Sequence, residues 1–294
     1  MKLPTETGTY PLVPREDYDR IRRERFSHIK QLADSPAHYR HAITEKQEDT
    51  DPLVLGRATH LATFEPERFL SECVVYDGGR RYGKEWDKFR AQHEGREIIT
   101  EGMYEAAQAI STAARADAKA APYLSGGLSE LTVLWTLEKA PLAGVDPGYR
   151  FDCKGRLDFV AEVGAIVDLK TCQSAEPEAF LRSCIDYAYR EQAAFYQDGY
   201  FAATGKRLPY VIVAVEKAAP HVVQVFRMSE RALARGRERY QGFLDTLAFC
   251  KRHNKWPGYA DGEVELDLAV WEQRELDEDP SGMGLEFEGA AANG

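Results

Sequence analysis

The sequence predicts one α/β domain in which a central mixed sheet is flanked by helices, with a helical elaboration at the N-terminal end. Three observations carry that expectation. Strand-like segments recur at 130–138, 149–160, 165–171, 210–216 and 222–227, and a long helical pattern separates the third from the fourth. The first half of the chain shows helical patterning instead. Residues 210–216, YVIVAVE, are nearly all apolar, as in a strand covered on both faces.

Taken in order, residues 15–50 read as helical, with a break at Ser35-Pro36. LVLGRATHLATF (53–64) reads as a short apolar helix ending before Glu65-Pro66. The stretch from Asp77 to Glu97 is rich in glycine and charge and reads as a loop. Residues 101–121 form an Ala-rich amphipathic helix closed by Pro122 and the Gly126-Gly127 pair. ELTVLWTLE alternates and opens the sheet. YRFDCKGRLDFV is a second strand, or two with a kink near Gly155. AIVDLKT is a short buried strand. A helical region follows, with Pro177 in its first turn and Gly205 as its C-terminal cap. The last helix covers 229–252.

The composition, 44% hydrophobic and 29% charged over 294 residues, is that of a soluble globular chain and excludes a fibre or a mainly disordered protein. No apolar run is long enough to cross a bilayer, and MKLPTETGTY lacks the apolar stretch of a signal peptide, so a cytoplasmic location with no membrane partner is expected. The net charge of −10 is misleading as a guide to partners. Residues 263–294 hold ten acidic residues and one basic one, which leaves 37 basic against 38 acidic in residues 1–262. The expected organisation is a single domain over 1–262 and an acidic segment over 263–294, disordered from about 277. The five scattered cysteines form no CxxC pair and read as reduced core thiols rather than ligands of zinc or an iron–sulfur cluster.

The chemistry concentrates in Gly155-Arg156-Leu157-Asp158 and Asp168-Leu169-Lys170. Alternation puts Asp168 and Lys170 on one strand face and Leu169 on the other. Buried charge must be paired or bound to metal. Were the two strands neighbours, Asp158 and Asp168 would converge, and two adjacent carboxylates suit Mg²⁺ or Mn²⁺. The competing reading is a salt bridge between Asp168 and Lys170, with Asp158 in a turn. His60 follows Gly56 by one helical turn, Gln192 and Tyr196 share a helix face, and Glu130 opens the first strand. Taken singly, these are a core histidine, a half-buried stripe and an edge residue.

In this order, the GxxxH helix, strand-borne acid, GRLD strand end, DxK strand and QxxxY helix resemble the RecB-like branch of the PD-(D/E)XK nuclease superfamily. Within it, LGRATHLATFEPERF, FDCKGRLDFVAEVGAIVDLKT and YREQAAFYQDGYFAATG are similar to the C-terminal nuclease domains of the RecE (exonuclease VIII) type. SPAHY at 35–39 and RRYGKEWDKF add to the likeness, which spans roughly residues 26–258. The "PD" of the motif stands here as Leu157-Asp158. The resemblance implies a PD-(D/E)XK core and a Mg²⁺-dependent double-stranded DNA exonuclease, with Mn²⁺ able to substitute. It assigns Asp158, Asp168 and the Leu169 carbonyl to the metal, with His60 and Glu130 as further ligands. Lys170 would orient water and balance phosphate charge, while Gln192 and Tyr196 position the strand. It further implies processive 5′-to-3′ degradation by a ring-shaped homo-oligomer in a bacterial or phage-infected cell, leaving 3′ overhangs for a single-strand annealing protein. No helicase motor is present, so no ATP requirement is expected. The Arg80–Arg90 stretch carries a net charge of +3 interleaved with Tyr82, Trp86 and Phe89. Arg80, Arg81, Lys84, Trp86 and Lys88 are therefore candidate contacts to a DNA end, against the alternative of a solvated loop. Two other functions stay open: a structure-specific or single-strand nuclease of the same fold, and a non-catalytic DNA-binding protein.

Overall fold

The computed structural model describes residues 3–45, 49–141 and 147–278. The chain divides into two compact units, Met1–Trp256 and Pro257–Gly294. The first unit opens with strand β1 (Gly8–Tyr10), helix α1 (Arg15–Arg20), the two-residue β2 (Glu24–Arg25) and helix α2 (Phe26–Ile29). A 3₁₀ turn, Lys30–Ala33, leads to α3 (Pro36–Thr44). Ser35 starts α3 because its side chain accepts the His38 N–H and Pro36 occupies the first turn. Helices α4 (Asp51–Phe64) and α5 (Pro66–Glu72) follow, broken at Glu65 as the sequence predicts.

The stretch expected as a loop differs. It holds helix α6 (Lys84–Gln92), framed by two short strands, β3 (Cys73–Val75) and β4 (Glu97–Ile99), that pair in parallel as a separate small sheet. The cause is packing rather than propensity. Trp86 and Phe89 recur on one helical face and meet the Tyr76 ring at 5.0 and 4.8 Å. Helix α7 (Glu101–Ala116) is shorter than expected, and Pro122 belongs to a separate turn, α8 (Ala121–Leu124). Asp117 makes the break: its Oδ1 accepts the N–H groups of Lys119 and Ala120.

The main sheet follows. Strands β5 (Gly127–Lys139) and β6 (Tyr149–Ala161) pair antiparallel almost throughout. No kink divides β6 at Gly155; the glycine instead admits the Tyr196 ring, which a Cβ would meet at 3.0 Å. Next come β7 (Ala165–Cys172), α9 (Pro177–Asp186), α10 (Tyr189–Thr204), β8 (Tyr210–Glu216), β9 (Val223–Arg227) and α11 (Glu230–His253). The order across the sheet is β1-β5-β6-β7-β8-β9, with β2 also on β6. Within this sheet only the β7–β8 and β2–β6 pairs are parallel among the described residues, which makes it mixed.

One core cluster gathers Trp135, Ile166, Phe195, Ile212, Tyr240 and Leu244; a second, joined by α7 and α8, gathers Ile110, Leu124, Val167, Leu169, Val211 and Val213. Alternate residues of β7 and β8 thus feed different clusters, as a sheet covered on both faces requires. A third cluster (Val54, Ala58, Phe69, Ile99, Ala107) holds α4, α5 and the small sheet together. All five cysteines are buried and free. Among the described residues no helix is long and apolar enough to cross a membrane.

In the second unit, residues 270–278 form helix α12 (Val270–Glu278). Residues 279–294, where most of the expected disorder falls, lie outside the described residues.

Candidate active site

Strands β6 and β7 pair only from Phe159↔Val167 to Ala161↔Ala165. Beyond that they fork, and the earlier part of β6 takes β2 as its neighbour, at Glu24↔Cys153 and Arg25↔Lys154. Every chemically significant strand residue lies at this fork. Asp158 is the first β6 residue past the last paired position, and Asp168, Leu169 and Lys170 are the first three on β7. Leu169 thereby loses the strand partner for its N–H and C=O, groups that cannot stay buried and unpaired. Side chains replace that partner. Asp158 Oδ2 accepts the Leu169 N–H at 3.2 Å, and His60 Nε2 donates to the Leu169 carbonyl at 2.8 Å.

His60 reaches the fork because α4 packs on the sheet through Phe64, which stacks on Phe159 at 4.8 Å and meets the His60 ring edge-on at 6.1 Å. Its Nε2 also lies 3.5 Å from Asp158 Oδ2. Burial holds the imidazole pKa below its ordinary value despite the neighbouring Glu130 carboxylate, so the ring is neutral.

On the other face of β7, Lys170 Nζ donates to Asp168 Oδ1 at 2.7 Å, and the Tyr210 hydroxyl donates to Asp168 Oδ2 at 3.1 Å. The two readings of the DxK segment are therefore compatible: the ion pair forms, and Asp158 converges on it. The carboxylates split in behaviour. Burial raises the pKa of Asp158, and the charge of Asp168 raises it further. For Asp168 burial acts in the same direction, but the Lys170 ammonium and a hydrogen bond from Asp158 outweigh it and hold the group low. One proton thus sits on Asp158 and is shared with an ionised Asp168, a pair that titrates as a unit. Burial also disfavours the Lys170 charge, yet the two aspartates more than restore it, so its pKa is raised.

The β5–β6 register is interrupted at Glu130 and Asp158, between the Ser129↔Phe159 and Leu131↔Leu157 pairs, and Arg156 Nη1 holds the Glu130 carboxylate at 3.2 Å. The Glu130 φ of +49° is a left-handed conformation for a residue with a Cβ, uncommon inside a strand. At the same level β6 turns over, since Leu157 feeds one core cluster and Phe159 the other. Gln192 and Tyr196 are both half-buried on α10, with the Tyr196 ring lying over Gly155. Burial raises the Tyr196 pKa, and a hydrogen bond with Gln192 partly offsets the rise.

The sequence reading missed three further residues. Tyr210 opens an apolar strand without any local mark. Tyr189 lies beneath Lys170, its ring centroid 4.9 Å from Nζ. Lys30 comes from the 3₁₀ turn, and its own pKa is lowered by burial and by the charge of Lys170. Periodicity could have flagged none of the three, because each meets the fork through long-range packing.

The DNA-contact candidates are placed unevenly. Arg80, Lys84 and Lys88 are exposed, and the Arg80 guanidinium lies over Tyr82 at 5.8 Å. Arg81 is tied to Asp51 at the start of α4, at 2.9 Å. Trp86 is half-buried between Tyr76 and the Arg90 guanidinium.

A sequence search of curated proteins returns no match. Among solved structures, the chain is similar to a "Putative exonuclease" from Eubacterium rectale, with a TM-score of 0.54, 16% identity, and coverage of 85% of this chain and 91% of that one. A second structure, SSO0001, aligns over 77% of this chain and 90% of its own at 11% identity, but its TM-score of 0.27 carries no weight. The first likeness bears on the fold alone. The model of the PDDEXK-like domain of unknown function, DUF3799, matches residues 25–266, a span that includes the fork, α10 and His60. The chain belongs to that PDDEXK-like family.

Proposed function

We propose that the protein is a Mg²⁺-dependent exonuclease of linear double-stranded DNA that runs 5′ to 3′ and leaves 3′ single-stranded overhangs. The observation that carries this reading is the fork, where Asp158, Asp168, the Leu169 carbonyl, Lys170 and His60 meet within hydrogen-bonding distances. PD-(D/E)XK nucleases generally use divalent metals, and the donor set fits one. Asp158 and Asp168 are buried against each other and share a proton, which leaves a position that a hard cation would neutralise. Among the described residues no three His, Cys, Asp or Glu side chains converge as a metal cage. The two carboxylates and the Leu169 carbonyl would therefore hold the cation with water, and His60 and Glu130 would join them as further ligands only on leaving their present partners, the Leu169 carbonyl and Arg156. Mn²⁺ would substitute. For His60 to ligate through Nε2, its proton must move to Nδ1. A bound divalent cation supplies Lewis acidity to the phosphoryl oxygens and lowers the pKa of water.

The remaining chemistry belongs to the chain. Lys170, kept charged by Asp168, faces the charge that accumulates on the phosphate as water adds to phosphorus and the bond to the leaving sugar oxygen breaks. Gln192 and Tyr196 hold the scissile strand or brace Lys170. Arg80, Arg81, Lys84 and Lys88 would contact phosphates, and Trp86 would stack on a terminal base. The ring-shaped homo-oligomer and the single-strand annealing partner rest on the resemblance to the RecE-type nuclease domains.

The test is digestion of end-labelled linear duplex with Mg²⁺, with 5′-phosphate and 5′-hydroxyl ends compared, beside a supercoiled circle. Linear DNA should be lost and the circle should persist. Asp168→Ala should abolish cleavage while the fold survives. Cleavage of the circle, or preference for single strands, would redirect the reading to a structure-specific nuclease. Full activity in Asp168→Ala would remove the site assignment.

A further inference from the structure

Helix α9 ends at Asp186 and α10 begins at Tyr189. Ala188, between them, has φ +58° and ψ +40°, a left-handed conformation that a residue with a Cβ seldom adopts. Neither a glycine nor an asparagine relieves that strain. Its effect is to bring two tyrosines, at positions 187 and 189, onto one side of the junction. Their ring centroids are 5.7 Å apart and their planes differ by 27°. Below, Tyr189 meets Phe180 at 6.1 Å, and Phe180 stacks on Phe226 at 4.7 Å. The result is a column of rings rising from the core. Its top member, Tyr187, is 59% exposed. Beside the column, the Lys170 ammonium lies 4.9 Å from the Tyr189 ring centroid. Two ring contacts therefore separate an open aromatic face from the residue assigned to the scissile phosphate.

We propose that Tyr187, braced by Tyr189, is a nucleobase-stacking subsite that takes an unstacked base of the strand being cut, next to the reacting phosphodiester. This rests on the nuclease reading and extends it to the substrate. Such a subsite needs a base drawn out of its duplex stack, so the strand is locally single where it is cut. Every base has a π-face, so the subsite takes all four. A strained junction fits the role, because it fixes the outer ring without a side-chain network that the incoming base would have to displace.

Binding of a single strand of about 12 nucleotides, long enough to span one such groove, to the full-length protein in EDTA tests this, with 2-aminopurine placed at successive positions from the 5′ end. One position should be quenched on binding to the wild type. Tyr187→Ala should bind about ten-fold more weakly and lose that quenching, while Tyr187→Trp restores both. The two proteins should bind equally well to a strand that is abasic at that position. Equal binding of wild type and Tyr187→Ala to the intact strand would overturn the subsite. A Tyr187→Ala defect that persists undiminished on the abasic strand would overturn it too, leaving Tyr187 as a packing residue. The ring is exposed, so Tyr187→Ala should melt at the wild-type temperature, which separates binding from folding. The nuclease reading fails separately: it falls if the wild type neither binds the strand nor cleaves linear duplex with Mg²⁺. DNA cleavage with no dependence on Tyr187 removes the subsite alone.

Discussion

Asp158 and Asp168 occupy positions that the fold alone would not choose. With no cation present, one must keep a proton, and Asp158 is that one, because burial and the charge of Asp168 both raise its pKa. A raised carboxyl pKa means that the folded protein binds the proton more tightly than the unfolded chain does. Metal-free stability should therefore fall as pH rises from the ordinary carboxylate range through the raised value. Asp158→Asn removes this dependence and still accepts the Leu169 N–H. The variant should melt a few degrees higher than wild type in EDTA at neutral pH, roughly 1–2 kcal/mol more stable, and should not cleave DNA. Calorimetry and a digestion assay on one preparation check both outcomes. His28 titrates in the opposite sense. Its Nε2 accepts from Arg25 Nε at 2.8 Å, and burial together with the Arg25 charge lowers its pKa to about 4. The unfolded chain takes up this proton first. Stability should thus be lost as pH falls from about 6.5 toward 4, by on the order of 1–2 kcal/mol for a half-buried group. His28→Gln, which cannot take a proton, should flatten that slope in acid-titrated melting curves.

Elements explain what the sequence could and could not reveal. The strands from β5 to β9 and the helix α11 were legible because each is long enough for its periodicity to show, whereas the roles of the fork residues were expected from the family resemblance and not from any one segment alone. Strands β1 to β4 have only two or three residues each, too few to display alternation. Helix α6 was hidden because its apolar face is Trp86 and Phe89 alone, amid charges and glycines, and it becomes visible only once Tyr76 is in place. Lys30, Tyr189 and Tyr210 could not be found locally, since their relation to Lys170 or Asp168 is made by packing over many residues. Helix α10 carries Gln192 and Tyr196, and its placement depends on Gly236 in α11. A Cβ there would come within 2.2 Å of the Arg190 carbonyl oxygen. Gly236→Ala should therefore drive the two helices apart despite the better helix propensity of alanine, with a net cost of about 1–3 kcal/mol. Because α10 moves, nuclease activity should drop more than stability does, which a comparison of melting temperature with initial rate would show. An increase in melting temperature would refute the close-packing argument.

For the molecule as a whole, charge is divided by region. The body is close to neutral, the excess of acid lies after residue 262, and Lys84 and Lys88 stand one helical turn apart on the exposed side of α6. If each of these ammonium groups pairs with a phosphate, removing both should lower the salt slope of DNA binding by roughly two units. Lys84→Ala with Lys88→Ala should show that change uniformly across DNA sequences, as measured by titration at several salt concentrations. An unchanged slope would return α6 to a solvated surface role. The family match ends at residue 266, so a chain truncated after that position should keep its melting temperature and its cleavage rate. Collapse of either would mean that the acidic segment is part of the working structure.

The Leu169 amide has a consequence for how the site could be observed without any substrate. Most amides in β7 are held by carbonyls of neighbouring strands, but this one is held by the Asp158 side chain. Its exchange with solvent deuterium is therefore governed by the freedom of one carboxyl rather than by separation of a strand pair. It should exchange faster than the Val167 amide in the paired part of β7, and Asp158→Ala should speed it further while leaving Val167 unchanged. A single amide in the middle of the sheet would then serve as a local clock, reporting how tightly the two diverging strands are held together at the point where the carboxylates meet.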